Sequence, residues 1–364
     1  MASTENRFAL RRRRLAEALA AEGLDAFLVT SPLSVRYLTG FTGSNGALVV
    51  FTDRDPVVCT DGRYTTQIAE EVPDITAEIE RRSGVHLASR TEEPATVGID
   101  AARTSMVEYS QLEEAAAAGV TFRPATGVVE QLRLVKDDEE LAALRTVAEV
   151  ANVAFAEMID AGELRAGRSE REVAADLEYR MRRGGADTTS FDTIVASGPN
   201  SAKPHHGADD RVIAQGDLVT IDFGAYLGGY NSDMTRTLAV GEPDDFSREI
   251  YQVVLEAQRA GIAAARVGAT GAEVDQASRD VIEAAGYGEY FVHSTGHGVG
   301  LEVHEAPAAA RGSADVLQAG MTVTVEPGIY VPGKGGVRIE DTLIITVDGP
   351  ETITRFPTEL TVLD

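Results

Sequence analysis

The 364-residue chain holds a single cysteine, Cys59. One thiol excludes an internal disulfide framework and any zinc or iron–sulfur site built on thiolates, and it suits a reducing, cytosolic setting. Bases are scarce as well: 33 stand against 58 acids, for a formal net charge of −25, and only Lys136, Lys203 and Lys334 are lysines. That balance argues against nucleic acid or an anionic membrane surface as a partner, because phosphate binding needs a basic face. No run of about 18 apolar residues exists, so no membrane-spanning helix is expected. The stretch after Arg11–Arg14 is broken by Glu17, Glu22 and Asp25, so no signal peptide is expected either. The four arginines read as the solvated face of a first helix. Phosphate-binding glycine loops and the HExxH zinc pattern are missing; the IDFG at 221–224 has no HRD loop to make it a kinase motif.

A chain of this length predicts roughly two domains. Residues 7–22 have helical spacing up to Gly23, followed by strands at 26–31, 47–52, 56–61 and 96–100 and helices at 64–71 and 106–118. Alternating strand and helix predict a small α/β domain over residues 1–130. The texture then changes. Asp137 or Asp138 is placed to cap a long helix to about Asp160, and a second helix is expected over Glu170–Arg183. Glycine-punctuated strands follow from 191 to 240, then helices at about 246–266 and 271–285, then strands from 290 to 364. Strands grouped around helix pairs predict an α+β catalytic domain over 131–364.

Five of the six histidines lie between 205 and 304, and carboxylates sit inside apolar strands of this second domain, where charge is costly unless paired or metal-bound. In 218–240, Gly228-Gly229 signals a hairpin that sets Asp222 opposite Thr235. Asp222 and Asp233 then share a face as diagonal neighbours, with Cα atoms about 7–8 Å apart. In 321–346, a turn near Gly333 or Lys334 puts Glu326 and Glu340 on one face, with Arg338 beside them. His293 and His297 fall on one face of a strand, since the glycines at 296, 298 and 300 oppose a helix, and His304 follows a turn. A polar loop at 197–213 carries His205 and His206. Taken singly, each feature has an ordinary explanation in an edge residue or a hydrogen-bonded histidine. Taken together, four carboxylates, histidine and no thiolate describe a hard site for Mn²⁺, Co²⁺, Fe²⁺ or Zn²⁺. Ligands from two hairpins suit two ions about 3.5–4 Å apart that activate a hydroxide for hydrolysis.

These motifs resemble the pita-bread metallopeptidases: methionine aminopeptidase, aminopeptidase P, prolidase and creatinase. The family's ligand order maps onto Asp222 in IDFG, Asp233 in SDMTRT, His297 in GHGVG, Glu326 in EPGIY and Glu340 in RIED. The resemblance covers about Leu132–Asp364. The first third, notably SPLSVRYLTGFTGS (31–44), resembles the creatinase-type N-terminal domain, which favours aminopeptidase P or prolidase. The resemblance implies two divalent ions, Mn²⁺ first, and a hydroxide attacking the carbonyl before proline. Glu326 is then the proton shuttle, with His205 (His206 as second candidate) and His304 on the substrate or oxyanion. His293 and Arg338 shape the proline side and anchor carboxylates. It implies a peptide substrate with proline at position two and a homodimer. Aminopeptidase P is placed first and prolidase, which must recognise a free carboxylate, second; Arg36 and other first-domain arginines are candidates for that contact. A non-enzymatic binding relative is the third reading.

Overall fold

The computed structural model describes residues 6–91 and 95–364, so positions 1–5 and 92–94 of the expected first domain lie outside it. The chain divides into two compact units, Met1–Arg133 and Leu134–Asp364.

The first unit is built on a six-stranded sheet in the order Thr76–Ile79, Val57–Thr60, Gly46–Phe51, Ala26–Val29, Ala95–Asp100, Val120–Ala125. The four inner strands are those the apolar runs predict. Both edge strands consist of exposed and half-buried residues, with none buried, so they carry little apolar signal. Two short helices, Pro32–Thr39 and Ser83–Arg90, also lie outside the expected elements. The first helix, Arg7–Ala21, forms as expected, with the Asn6 side chain accepting from Phe8 N–H. Its arginines divide, however. Arg13 and Arg14 are exposed, while Arg11 and Arg12 are buried. Arg11 donates to Tyr37 O at 2.9 Å and lies over the Tyr37 ring; Arg12 donates to Leu38 O at 2.8 Å and pairs with Asp74. A solvated face is therefore correct for only half the run: buried carbonyls need donors, and these guanidiniums supply them.

The second unit opens with the long helix Asp138–Asp160. Asp137 accepts from Glu140 N–H and the Glu140 carboxylate accepts from Asp137 N–H, a closed capping box. Ser169 caps Glu170–Arg183 in the same way. A second helix pair, Asp245–Ala264 and Gly271–Ala284, packs through Ile250 and Val254 against Ile329, Val337 and Ile339. Three strands of 194–240 join Val362–Leu363 in a sheet ordered Val362–Leu363, Met234–Val240, Asp217–Phe223, Ile194–Ser197, while Ala225–Leu227 and Tyr230–Asn231 form a separate sheet with Thr188–Thr189. The later strands form a hairpin system, Thr322–Val325 with Asp341–Thr346 and Gly328–Val331 with Gly335–Arg338.

Arg236 locks these two hairpin systems together. Its guanidinium is almost fully buried and pairs with Asp341 Oδ1 at 2.7 Å. It also donates to Glu340 O at 2.5 Å, Thr235 O at 2.9 Å and Phe356 O at 2.7 and 2.9 Å. An isolated Thr235–Glu340 bridge continues the contact. The two hairpins thus meet at the residues that flank the candidate ligands.

Candidate metal centre

Hairpin register decides which side chains converge. The Gly228-Gly229 turn has positive φ at both glycines, and its ladder pairs Asp222 with Thr235 and Phe223 with Met234. The side-chain period of two then turns Asp222 and Asp233 to one face. The other hairpin pairs Gly328 with Arg338 and Val325 with Asp341. Both halves share one register centred on Gly333, which places Glu326 opposite Glu340. His297 lies on the short strand Gly296–Gly298. A Cβ on Gly296 would stand 1.8 Å from Thr324 O, so only glycine lets this strand close onto Thr322–Val325.

The predicted residues meet in a cavity of about 470 Å³ lined by Asp222, Asp233, Glu326, Glu340, Arg338 and the histidines 205, 206, 293, 297 and 304. Asp233, His297 and Glu340 each offer one ligand atom, all within 4.8 Å of one another. His297 Nε2 is 3.7 Å from Asp233 Oδ2 and 3.3 Å from Glu326 Oε1. His297 Nδ1 lies 3.1 Å from Gly298 O. A carbonyl can only accept, so Nδ1 carries a proton, and Nε2, which faces Glu326 and Asp233, is the nitrogen that would ligate a metal ion in place of its own proton.

Electrostatics make the crowding explicit. Burial, then the charges of Glu340, Asp222 and Glu326, push Asp233 well above the usual carboxylate range. Burial, then Glu326 and Asp222, do the same to Glu340, opposed by the hydrogen bond from Thr235 Oγ1 at 2.7 Å. Burial also works to raise Glu326, but the His297 hydrogen bond and charge outweigh it and hold Glu326 low. Burial works against the Arg338 charge, yet Tyr330, Asp222 and Glu326 keep it protonated. Asp222 Oδ2 accepts from Arg338 Nη2 at 2.6 Å, whereas its buried Oδ1 has no hydrogen-bond partner. A divalent cation fits this donor set: it would satisfy the orphaned oxygen and remove the repulsion among four inward carboxylates.

The remaining predicted residues surround the carboxylates. His304 stacks edge-on to His297 with ring centroids 4.3 Å apart, and burial and the His297 charge push it below its ordinary pKa. His293 is also pushed down by burial, and both of its nitrogens are engaged, Nδ1 on Ser294 O at 2.7 Å and Nε2 on Tyr330 OH at 2.8 Å. Arg338 Nη1 donates to Tyr330 OH at 2.8 Å and to Pro204 O at 3.2 Å. His205 is exposed at the cavity, whereas His206 is buried with Nε2 2.7 Å from Glu170 Oε2.

Sequence reasoning missed Tyr330, which links His293 to Arg338, although it stands inside EPGIY. It set Thr235 opposite Asp222 but gave it no role; the structure has Thr235 Oγ1 donating to Glu340. Phe191, Asp192 and Ile194 line the same cavity and carried no motif signal.

An α+β scaffold that closes four carboxylates and an imidazole around one cavity defines a class, the metal-dependent hydrolases. The chain belongs to metallopeptidase family M24, whose model matches residues 142–347. The Creatinase/Prolidase N-terminal domain matches residues 11–135. The molecule is thus a metallo-exopeptidase with a creatinase-type domain before a pita-bread domain. A solved Xaa-Pro dipeptidase from Bacillus anthracis is 44% identical, with a TM-score of 0.94 over 98% of this chain and 100% of that one. The Xaa-Pro dipeptidase of Pyrococcus furiosus is 38% identical over 96% of this chain and 99% of its own. A solved X-Pro aminopeptidase from Thermotoga maritima is 37% identical, with a TM-score of 0.87 over 97% of this chain and 99% of that one. No helix among the described residues is long and apolar enough to cross a membrane.

Proposed function

We propose that the protein hydrolyses the peptide bond between an N-terminal residue and a following proline, with Xaa-Pro dipeptides as the first substrates. The observation that carries the reading is the convergence of Asp222, Asp233, His297, Glu326 and Glu340 on one cavity whose walls hold His205, His293 and His304. The two Xaa-Pro dipeptidases among the relatives support the dipeptidase of the two proline-specific readings; the Thermotoga maritima aminopeptidase keeps release from longer peptides as the second.

Those five residues would hold two divalent ions, Mn²⁺ first because carboxylate oxygens dominate the set. When bound, the ions supply a nucleophilic water at neutral pH and polarise the scissile carbonyl. Glu326 takes a proton from the attacking water and returns it to the leaving proline nitrogen. His304 and His205 donate hydrogen bonds to the substrate carbonyl as negative charge grows on its oxygen. Arg338 fixes Asp222 and, through Tyr330, the ring of His293, which forms a wall of the cavity on the proline side. The lone, buried Cys59 supports a reducing cytosolic compartment, and the family resemblance supports a homodimer.

Ion binding neutralises crowded carboxylates, so it stabilises the fold. At about 100 times the dissociation constant the gain is about 2.7 kcal/mol, which raises the melting midpoint by about 5–10 °C for a unit of this size. Calorimetry of chelated and Mn²⁺-reloaded protein checks this; identical midpoints would count against a metal centre here. Side-by-side rates on Xaa-Pro and Xaa-Pro-Xaa decide the substrate length. The dipeptide should be the faster, and turnover confined to the longer peptide would favour the aminopeptidase.

A further inference from the structure

The loop that brings His205 to the cavity is held by a buried carboxylate with no part in the chemistry above. Glu170, the first residue of the helix capped by Ser169, is 0% exposed and faces the loop. Its Oε1 accepts from Ser197 N–H and Ser197 Oγ, both at 2.7 Å, and from Asn200 Nδ2 at 3.1 Å. Its Oε2 accepts from His206 Nε2 at 2.7 Å, Asn200 Nδ2 at 3.2 Å and Asp209 N–H at 3.4 Å. The helix start adds two backbone bonds, Glu170 N–H to Arg211 O and Arg171 N–H to Asp209 O, both 3.0 Å. Arg211 closes the base of the loop on Ser197 Oγ and on Asp217 at 2.7 Å.

Glu170, His206 and Asp209 place ligand atoms within 4.8 Å of one another, the spacing of a cation site. The donors already in place exclude that use. An ionised carboxylate offers about four lone-pair sites, and five N–H and O–H donors from Ser197, Asn200, His206 and Asp209 occupy them. A carboxylate can only accept, so His206 Nε2 carries the proton in this bond. The network is therefore an anchor. It turns His206 inward and leaves the adjacent His205 as the exposed imidazole at the cavity.

We infer that Glu170, acting through His206, is a positioning residue that holds His205 against the substrate. The inference rests on the substrate-contacting role proposed for His205. A buried charge with this many partners orders a loop only while all of them are met, so loss of the carboxylate frees the loop and spreads His205 over many orientations.

A double-mutant cycle on the Mn²⁺-loaded full chain tests this, using Glu170→Gln, His205→Ala and the pair. Glu170→Gln should lower kcat/KM about 10–100-fold, the range for groups that act by orienting others, with metal content unchanged. In the His205→Ala background the same change should cost less than about threefold, because partners in one network are not additive. Amide exchange should quicken in 197–209 and stay unchanged in Asp245–Ala264. Should Glu170→Gln not fold, His206→Ala and His206→Gln replace it. Glutamine keeps a donor for Glu170 and should restore most of the activity that alanine loses. Multiplicative losses in the cycle, or equal losses in the two His206 variants, would overturn the inference while the wild type still cleaves Xaa-Pro. A wild type inert on Xaa-Pro would overturn the functional reading, and this inference with it.

Discussion

Replacing Asp233 with asparagine should lower kcat/KM by at least about 10³-fold, because the metal ions' share of transition-state stabilisation is several kcal/mol and each 1.36 kcal/mol is tenfold. Bound metal should fall by at least one ion per chain. The same change should leave the metal-free protein as stable as wild type or more so. Asp233 is buried, and its carboxylate stands among Glu340, Asp222 and Glu326 with Arg338 as the opposing charge. A neutral amide of the same shape removes repulsion that a bound cation or an added proton would otherwise offset. Sites that serve function at a cost to the fold behave in this way, whereas a structural aspartate would destabilise on replacement. Elemental analysis and calorimetry of chelated protein separate the two. Unchanged metal content, or a metal-free midpoint many degrees below wild type, would refute the ligand role of Asp233.

Arg236→Met should destabilise the second unit by about 3–5 kcal/mol, the usual result of removing one partner of a buried ion pair, and lower its midpoint by about 6–20 °C. Methionine fills much of the volume but supplies no donor. Asp341 then stays buried with Gln258 and Thr354 as its donors, at 2.6 Å each; Phe356 O and Glu340 O lose the Arg236 hydrogen bonds, while Thr235 O keeps that from Glu340 N–H at 3.1 Å. Each unmet buried acceptor adds a penalty of about 1–3 kcal/mol before relaxation. Replacing Asp341 with leucine in the same chain should recover part of the loss, since an unpaired buried carboxylate is the largest single cost. A midpoint unchanged by Arg236→Met would show that the two hairpin systems are joined elsewhere.

How much of this was readable beforehand follows from the physics of each element. The convergence of the hairpin carboxylates was legible because a carboxylate inside an apolar strand is anomalous, and because period two with a glycine-marked turn sets the register. The structure pairs Asp222 with Thr235 as that reasoning requires. The long helix was legible from Asp137 and the spacing behind it. Arg11 and Arg12 were not, because a charge run is normally solvated, and only the fold shows which carbonyls lie within reach. The edge strand Thr76–Ile79 was hidden by its polarity. Thr235 and Tyr330 look like ordinary strand residues, and their roles exist only across hairpins. Glu170 resembles any first-turn acid that suits a helix N-terminus; its burial under a loop 27–39 residues downstream has no local signature.

The central claim is that the inward carboxylates and His297 hold metal for cleavage before proline. The most direct test strips the full chain with chelator, reloads it with Mn²⁺ and follows release of the first residue from an Xaa-Pro dipeptide and an Xaa-Pro-Xaa tripeptide, with Xaa-Ala as control. We expect release from a proline substrate that is lost on chelation and restored on reloading, with little release from Xaa-Ala. A reloaded protein inert on both proline substrates would contradict the account.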